Sequence, residues 1–359
     1  MNAVLLIGNG FDIGIGLNTR YSDFIEWYLK QDAPKNPILD KFRECIKHDE
    51  SNWADAELAF GQLPFSEFDN DVVEVSQTCL DDFQYSMCAY LREQYERFDR
   101  RAITNKIRGR FRKTIFDLLK VSRTKKCREY DLFNFPAAHL NITPINFNYT
   151  LTFDDLLGFD ERGYFNRLQK NPCEIQNVTF NQCIHAHGSL TNQCEVLFGV
   201  DDYTQIKDEK MAVLSKDRGY LQKPKMATVC REEKYKKASQ CLEQADIVFL
   251  FGLSYGETDK NWWNLILERF FQRKLYIVFC TYTLTPLQRM TPLARMRLKQ
   301  DVFSTFLSRS NYANNNWLDD DLNDRVEVID YGPHTDPDGN EHYCDPLHLA
   351  WYGKKLIRN

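Results

Sequence analysis

The chain has 359 residues, 43% hydrophobic and 27% charged, which is enough apolar material for one large core or two ordinary ones and excludes disorder, collagen and coiled coil. Its 46 Lys and Arg against 51 Asp and Glu leave a net charge of −5, so no whole-molecule attraction draws it to nucleic acid or anionic lipid. The longest apolar runs, 247–252 and 275–280, fall far short of the roughly 20 residues of a bilayer span, so no membrane association is expected.

The N-terminus moves from Met1-Asn2 directly into Val4-Leu5-Leu6-Ile7-Gly8, a strand pattern rather than a signal peptide. With eleven cysteines, an odd number, and no Cys-x-x-Cys pair, the sequence predicts a cytoplasmic protein with reduced, mostly buried thiols. Cys173, Cys183 and Cys194 are too far apart for the knuckles of a zinc ribbon, and His334, His342, Cys344 and His348 fit no common metal spacing. No metal is expected.

In chain order, β-rich runs occur at 4–8, 144–149, 183–187, 195–200, 246–253, 274–282 and 325–331. Several are apolar throughout, as strands covered on both faces should be. Helical patterns occupy 21–30, 72–98, 103–119 and 232–244. Together they predict an α/β fold, a Rossmann-like, mostly parallel sheet with the first strand near its centre. The first two strands are about 135 residues apart, far more than the ~12 of an ordinary crossover, so a large helical insertion follows the first strand. The expected organisation is a nucleotide-binding core of 1–30 and 137–331, a helical insertion of 31–136, and a C-terminal tail of 332–359 that ends in an amphipathic stretch. Segment 97–128 carries thirteen Lys and Arg against Asp99 and Asp117. Aromatic interleaving is sparse there, so nucleic acid is not an expected partner.

Four strand ends carry the residues suited to chemistry. Val4 to Gly8 runs into Asn9-Gly10-Phe11-Asp12, followed by Gly14 and Gly16. A buried strand entering Gly-x-Gly lets the backbone turn sharply and approach a pyrophosphate. The third glycine is off the dinucleotide fingerprint spacing and no acidic residue about 20 positions on ends a second strand, which disfavours a dehydrogenase. Asp12 suits a helix cap, a ribose hydroxyl or a backbone amide. The second end, Ile145-Asn146-Phe147-Asn148-Tyr149-Thr150, places Asn146 and Asn148 on one face, with Asn148 closer to the crevice. The third, Ile184-His185-Ala186-His187-Gly188-Ser189, offers an imidazole as general base. The fourth, Gly252-Leu253-Ser254-Tyr255-Gly256-Glu257-Thr258-Asp259, adds amides and a hydroxyl at the same edge.

Ile7-Gly8-Asn9-Gly10-Phe11-Asp12, Gly16-Leu17, Tyr21-Ser22-Asp23-Phe24, Asn146-Phe147-Asn148-Tyr149-Thr150, His187-Gly188-Ser189-Leu190 and Gly252 through Asp259 together resemble the signature of the bacteriophage abortive infection AbiH family. The series is similar, more distantly, to sirtuin-like NAD-binding domains, with Gly8, Gly10, Gly16, Asn148, His187 and Ser254 on the matching positions. Thr150 stands where sirtuins have Asp and the sirtuin zinc module is absent, which argues against lysine deacylation. The resemblance implies an antiphage protein that hydrolyses NAD to nicotinamide and ADP-ribose. Asn148 and His187 would be catalytic, and Gly8, Asn9, Gly10, Phe11, Asp12, Gly252 and Ser254 would bind the cofactor. The alternative is a non-catalytic sensor or scaffold for NAD or ADP-ribose. Homo-oligomerisation and a phage-derived trigger are further partners the resemblance implies.

Overall fold

Strand β1 (Asn2–Ile7) is apolar on both faces, and the two faces enter different cores: Ala3, Leu5 and Ile7 one, Val4 and Leu6 the other. That alternation fixes β1 inside a sheet rather than at its edge. The protein is described here by a computed structural model covering residues 1–32, 35–68, 70–121, 140–159, 178–190, 195–229, 233–281, 291–317, 319–330, 333–335, 341–343, 347 and 349–358. After β1 the chain leaves the sheet through α1 (Gly10–Ile15), α2 (Tyr21–Lys30), α3 (Pro37–His48), α4 (Ala56–Gly61), α5 (Val72–Glu96) and α6 (Asn105–Val121). It returns as β2 (Leu140–Asn146), followed by α7 (Thr152–Leu157), β3 (Val178–Phe180) and β4 (Ile184–His185). A small antiparallel ribbon, β5 (Gly188–Ser189) with β6 (Glu195–Val196), precedes α8 (Glu209–Arg218), α9 (Lys223–Val229) and α10 (Glu233–Glu243). The sheet is then completed by β7 (Ile247–Phe251), α11 (Lys260–Phe271), β8 (Tyr276–Thr281), α12 (Pro292–Ser308), α13 (Asp319–Arg325) and β9 (Val326–Asp330). A hairpin of β10 (Pro333–Thr335) and β11 (Glu341–Tyr343) leads to α14 (Leu349–Leu356).

The seven-stranded sheet has the order β3-β2-β1-β7-β8-β9, with β4 also pairing β2, and every pairing in it is parallel. With β4 to β6 set aside, this is the 3-2-1-4-5-6 order of a doubly wound sheet, whose direction of winding reverses beside its first strand. The α/β, Rossmann-like expectation therefore holds, with β1 central.

Two sequence expectations were too long. The run 183–187 yields only Ile184–His185 in the sheet, because Gly188, at φ 82°, turns the chain out of it and Gly188–Ser189 pairs with Glu195–Val196 instead. For the same reason the run 195–200 contributes two strand residues, and it does so outside the main sheet.

The helices between β1 and β2 divide between two cores. In one, Phe83 of α5 is the hub of an aromatic cluster, with ring centroids 5.0 Å from Phe24, 5.5 Å from Trp53 and 5.3 Å from Phe198. In contrast, Phe111, Ile115 and Leu118 of α6 pack with Ala3, Leu5 and Ile7 on the sheet itself. The amphipathic stretch near the C-terminus becomes α14, whose Leu349, Tyr352 and Leu356 join that same core. Of the sequence features named above, residues 122–128 of the basic segment, Cys173, Cys194, Cys344 and His348 lie outside the described residues. Among the described residues no helix is long and apolar enough to cross a membrane.

Candidate functional site

The parallel register sets the strand ends flush, since Ile7 lies opposite both Asn146 and Phe251. Open α/β sheets bind ligands at this carboxyl edge, beside the strand where the winding reverses. There the β1 and β7 loops interlock. Gly8 N donates to Phe251 O at 2.8 Å and Gly10 N to Gly252 O at 2.9 Å. A Cβ on Gly8 would lie 2.5 Å from Gly252 O, and one on Gly10 would lie 2.6 Å from Gly252 Cα. Gly252 has φ 65°. These glycines therefore admit a neighbouring backbone, and the amides of Gly8 and Gly10 are committed to it rather than held free for a phosphate.

Asn148 joins this loop directly, its Nδ2 donating to Gly8 O at 3.2 Å. Its position is set from below. Asn146 Oδ1 accepts from Asn148 N at 3.0 Å, and His185 Nδ1 lies 3.0 Å from Asn148 O. A carbonyl only accepts, so Nδ1 carries a proton. His185 Nε2 in turn sits 3.0 Å from Asp154 Oδ2. Burial pushes the His185 pKa down, but the Asp154 carboxylate outweighs it and the net shift is upward. Cys183 completes a buried group with Asp154 and His185 whose ligand atoms lie within 4.8 Å of one another. Burial holds its thiol well above the ordinary value. The arrangement acts as a hydrogen-bonded prop under Asn148.

The other residues of the first loop face inward. Asn9 exchanges two bonds with Thr19, Nδ2 to the carbonyl at 2.7 Å and Oδ1 from the hydroxyl at 2.5 Å, tying α1 to the start of α2. Phe11 is fully buried, with its ring centroid 5.2 Å from that of Phe153. Asp12 accepts from the hydroxyls of Thr150 and Thr152. Burial raises its pKa to about 6 despite those bonds. Ser254 is exposed on the β7 loop. Asn9, Phe11 and Asp12 thus use their side chains to hold the loop's shape.

His187 lies in the turn between β4 and β5, its ring centroid 4.9 Å from that of Phe147, edge to face. Its Nε2 is 3.0 Å from Asp259 Oδ1, close but off the line of a hydrogen bond. The same Asp259 oxygen accepts from Lys223 Nζ at 2.9 Å, and Lys223 also donates to Glu57 Oε2 at 2.6 Å. Thr258 Oγ1 donates to that Glu57 oxygen at 2.9 Å. Glu57 belongs to α4, Lys223 to α9, and Asp259 precedes α11, so this buried network joins the helical insertion to the sheet edge. Burial would raise the Asp259 pKa, but Lys223 and then His187 outweigh it and hold it well below the usual range. Lys223 is pushed up: burial opposes its charge, and Asp259 and Glu57 prevail. A groove of about 1480 Å³ opens beside the network, between residues such as Leu58, Ala59 and Gln62 and a facing wall that includes Asp201, Glu257 and Asn261. Burial raises the Asp201 pKa to about 7 even though Asn261 donates to it twice.

The sequence model described as bacteriophage abortive infection AbiH matches residues 4–281. The chain belongs to this family. No curated protein matches it. The AbiH match spans β1 through β8 and so includes both glycine loops, Asn148, His187 and the Glu57, Lys223 and Asp259 network. An AbiH protein is an abortive-infection protein directed at phage. Motif reading pointed to Asn148 and His187 but missed Glu57 and Lys223, which stand in no motif. Asp259 was visible at the end of the Gly252 to Asp259 segment without a role.

Proposed function

We propose that this AbiH protein binds NAD at the carboxyl edge of the sheet and hydrolyses the bond between nicotinamide and ribose. Two observations support this: a propped Asn148 stands at the Gly8 loop, and a buried His187 beside Asp259 and Lys223 stands in the turn that follows β4. The C–N bond breaks with its electron pair leaving on nicotinamide, and water adds to the oxocarbenium-like sugar. His187 accepts the proton released by water or a ribose hydroxyl. Asn148 spends its Nδ2 on Gly8, which leaves Oδ1 to orient that water or hydroxyl. Nicotinamide and ADP-ribose are the products. Loss of NAD would stop an infected cell before the phage matures.

A second reading is favoured by the interlocked loops. Because the Gly8 and Gly10 amides are bonded to residues 251 and 252, a pyrophosphate reaches them only if the loops part. That suits a sensor which binds NAD or ADP-ribose and changes shape without turnover. Incubating purified protein with NAD, with and without phage lysate, and assaying free nicotinamide separates the two. The hydrolase reading expects release, reduced about 10²-fold or more in His187→Ala with NAD binding nearly unchanged. Binding without release under every condition supports the sensor and ends the hydrolase assignment.

A further inference from the structure

Asp154, Cys183 and His185 bring a carboxylate, a thiol and an imidazole to one buried point under Asn148, with ligand atoms all within 4.8 Å of one another. Local structure explains the convergence. Cys183 and His185 are two residues apart on the extended chain entering β4, so they share a face, while Ile184 between them packs in the opposite core. Asp154 comes from the first turn of α7 and is 31 residues from His185 in sequence.

The imidazole is held as metal-bound histidines are held. Its Nδ1 donates to Asn148 O at 3.0 Å, which fixes that proton and turns Nε2 toward Asp154 Oδ2, 3.0 Å away. Two lone-pair atoms so close need a cation between them. A proton serves the imidazole and the carboxylate, whereas a divalent ion serves both of them and the thiol together. Charge agrees, because one thiolate and one carboxylate neutralise a doubly charged ion, and a neutral complex can stay where all three residues are no more than 6% exposed. The ion itself displaces the thiol proton that burial otherwise retains.

The donor set selects the ion. Magnesium and calcium take oxygen shells, whereas nitrogen, sulfur and oxygen donors together suit four-coordinate zinc with water in the remaining position. Zinc sets such donors about 3.2–3.6 Å apart, so it draws in whichever pair approaches the 4.8 Å limit. We infer that Asp154, Cys183 and His185 bind a zinc ion, which clamps α7 to β4 and, through His185 Nδ1, fixes Asn148 at the carboxyl edge. The sequence expectation of no metal misses it, since Asp154 shares no motif with the other two. Because it needs no nucleotide, the site stands or falls apart from the NAD reading.

The test uses the full chain. Protein purified without chelator should carry stoichiometric zinc by elemental analysis, and X-ray absorption at that zinc should show a single sulfur at about 2.3 Å among nitrogen and oxygen at about 2.0–2.2 Å. After zinc is removed by chelation, added Co²⁺ should produce a near-ultraviolet thiolate-to-cobalt band. Cys183→Ser should lose that band and weaken zinc binding, measured against a chromogenic chelator, by more than the about 10- to 100-fold that loss of an outer partner costs. Cys45→Ser, whose thiol lines the groove with His48, should change neither. A wild-type chain that holds no zinc after purification and binds none on titration overturns the inference, as does a zinc shell with no sulfur or with several. Loss of the band in Cys45→Ser, or its persistence in Cys183→Ser, puts the ion elsewhere and overturns it too. The wild-type measurements decide the matter even if Cys183→Ser does not fold.

Discussion

Replacing Lys223 with methionine tests whether the buried network is held by charge. Lys223 is 2% exposed and bonds two carboxylates at 2.6 and 2.9 Å, so Lys223→Met keeps the stem and strands Glu57 and Asp259 without their cation. Removing one partner of a buried pair typically costs about 3–5 kcal/mol. The pH dependence identifies the cause. In the wild type Asp259 is held below its ordinary value of 3.8, so its contribution is fully present above that value and is lost only as pH falls through the folded one. In the variant burial dominates, the stranded carboxylates take up protons more readily, and the penalty shrinks as pH falls. Urea denaturation should therefore show the largest gap between wild type and variant near pH 8, narrowing toward about pH 4. Adding Glu57→Gln to Lys223→Met should recover part of the loss by removing one stranded charge. A deficit under about 1 kcal/mol, unchanged across that range, would refute the reasoning.

Asp12 behaves oppositely. Its pKa is raised from 3.8 to about 6, so the folded state binds more protons between those values and stability falls as pH rises through them, by about 3 kcal/mol in all. The urea midpoint of Asp12→Asn, compared with wild type across that range, should lack this slope. Gly10→Ala should cost about 1–3 kcal/mol, because its Cβ would lie 2.6 Å from Gly252 Cα and force the two loops apart. By contrast Gly109→Ala, within α6 and with nothing within 4 Å of the new Cβ, should raise the unfolding free energy by about 0.5–1 kcal/mol in the same urea measurement. His185→Ala should destabilise by about 3 kcal/mol, since it strands the buried Asp154 and removes a partner of Asn148 O, whereas His187→Ala should lose turnover more than stability. Equal effects of the two histidines on both quantities would remove the distinction.

The parallel sheet was legible because β1, β7 and β8 are apolar at successive positions, and only strands covered on both faces bury such runs. Asn146 was legible as the end of its strand, whereas Asn148 lies two residues past β2, where its backbone N–H is bonded to the Asn146 side chain. The Gly-x-Gly loop was read as room for a pyrophosphate, and locally that is what such a pattern offers. The backbone that fills the space belongs to Gly252, whose approach no local pattern encodes. Likewise, Glu57 and Lys223 are 166 residues apart, and a charge pair at that separation has no periodicity to betray it. The two histidines differ for the same reason: one meets Asp154 and the other Asp259, and only the fold decides which.

The point where the sheet is interrupted explains why the inserted helices reach the site. A chain leaving parallel β1 emerges at the carboxyl edge and must cross a face of the sheet to begin β2. Helix α6 lies on that face, with Phe111, Ile115 and Leu118 against Ala3, Leu5 and Ile7. Helices α2 to α5 come earlier in the chain, while it is still above the carboxyl edge, and Phe24, Phe42, Phe60 and Phe83 share a core with Tyr149 and Leu190, which follow β2 and β5. An insertion at this point is therefore stacked over the edge at which doubly wound sheets bind ligands. Glu57 needs only the first residues of α4 to meet Lys223 there, and the bond between them ties the placement of the insertion to the charge beside His187.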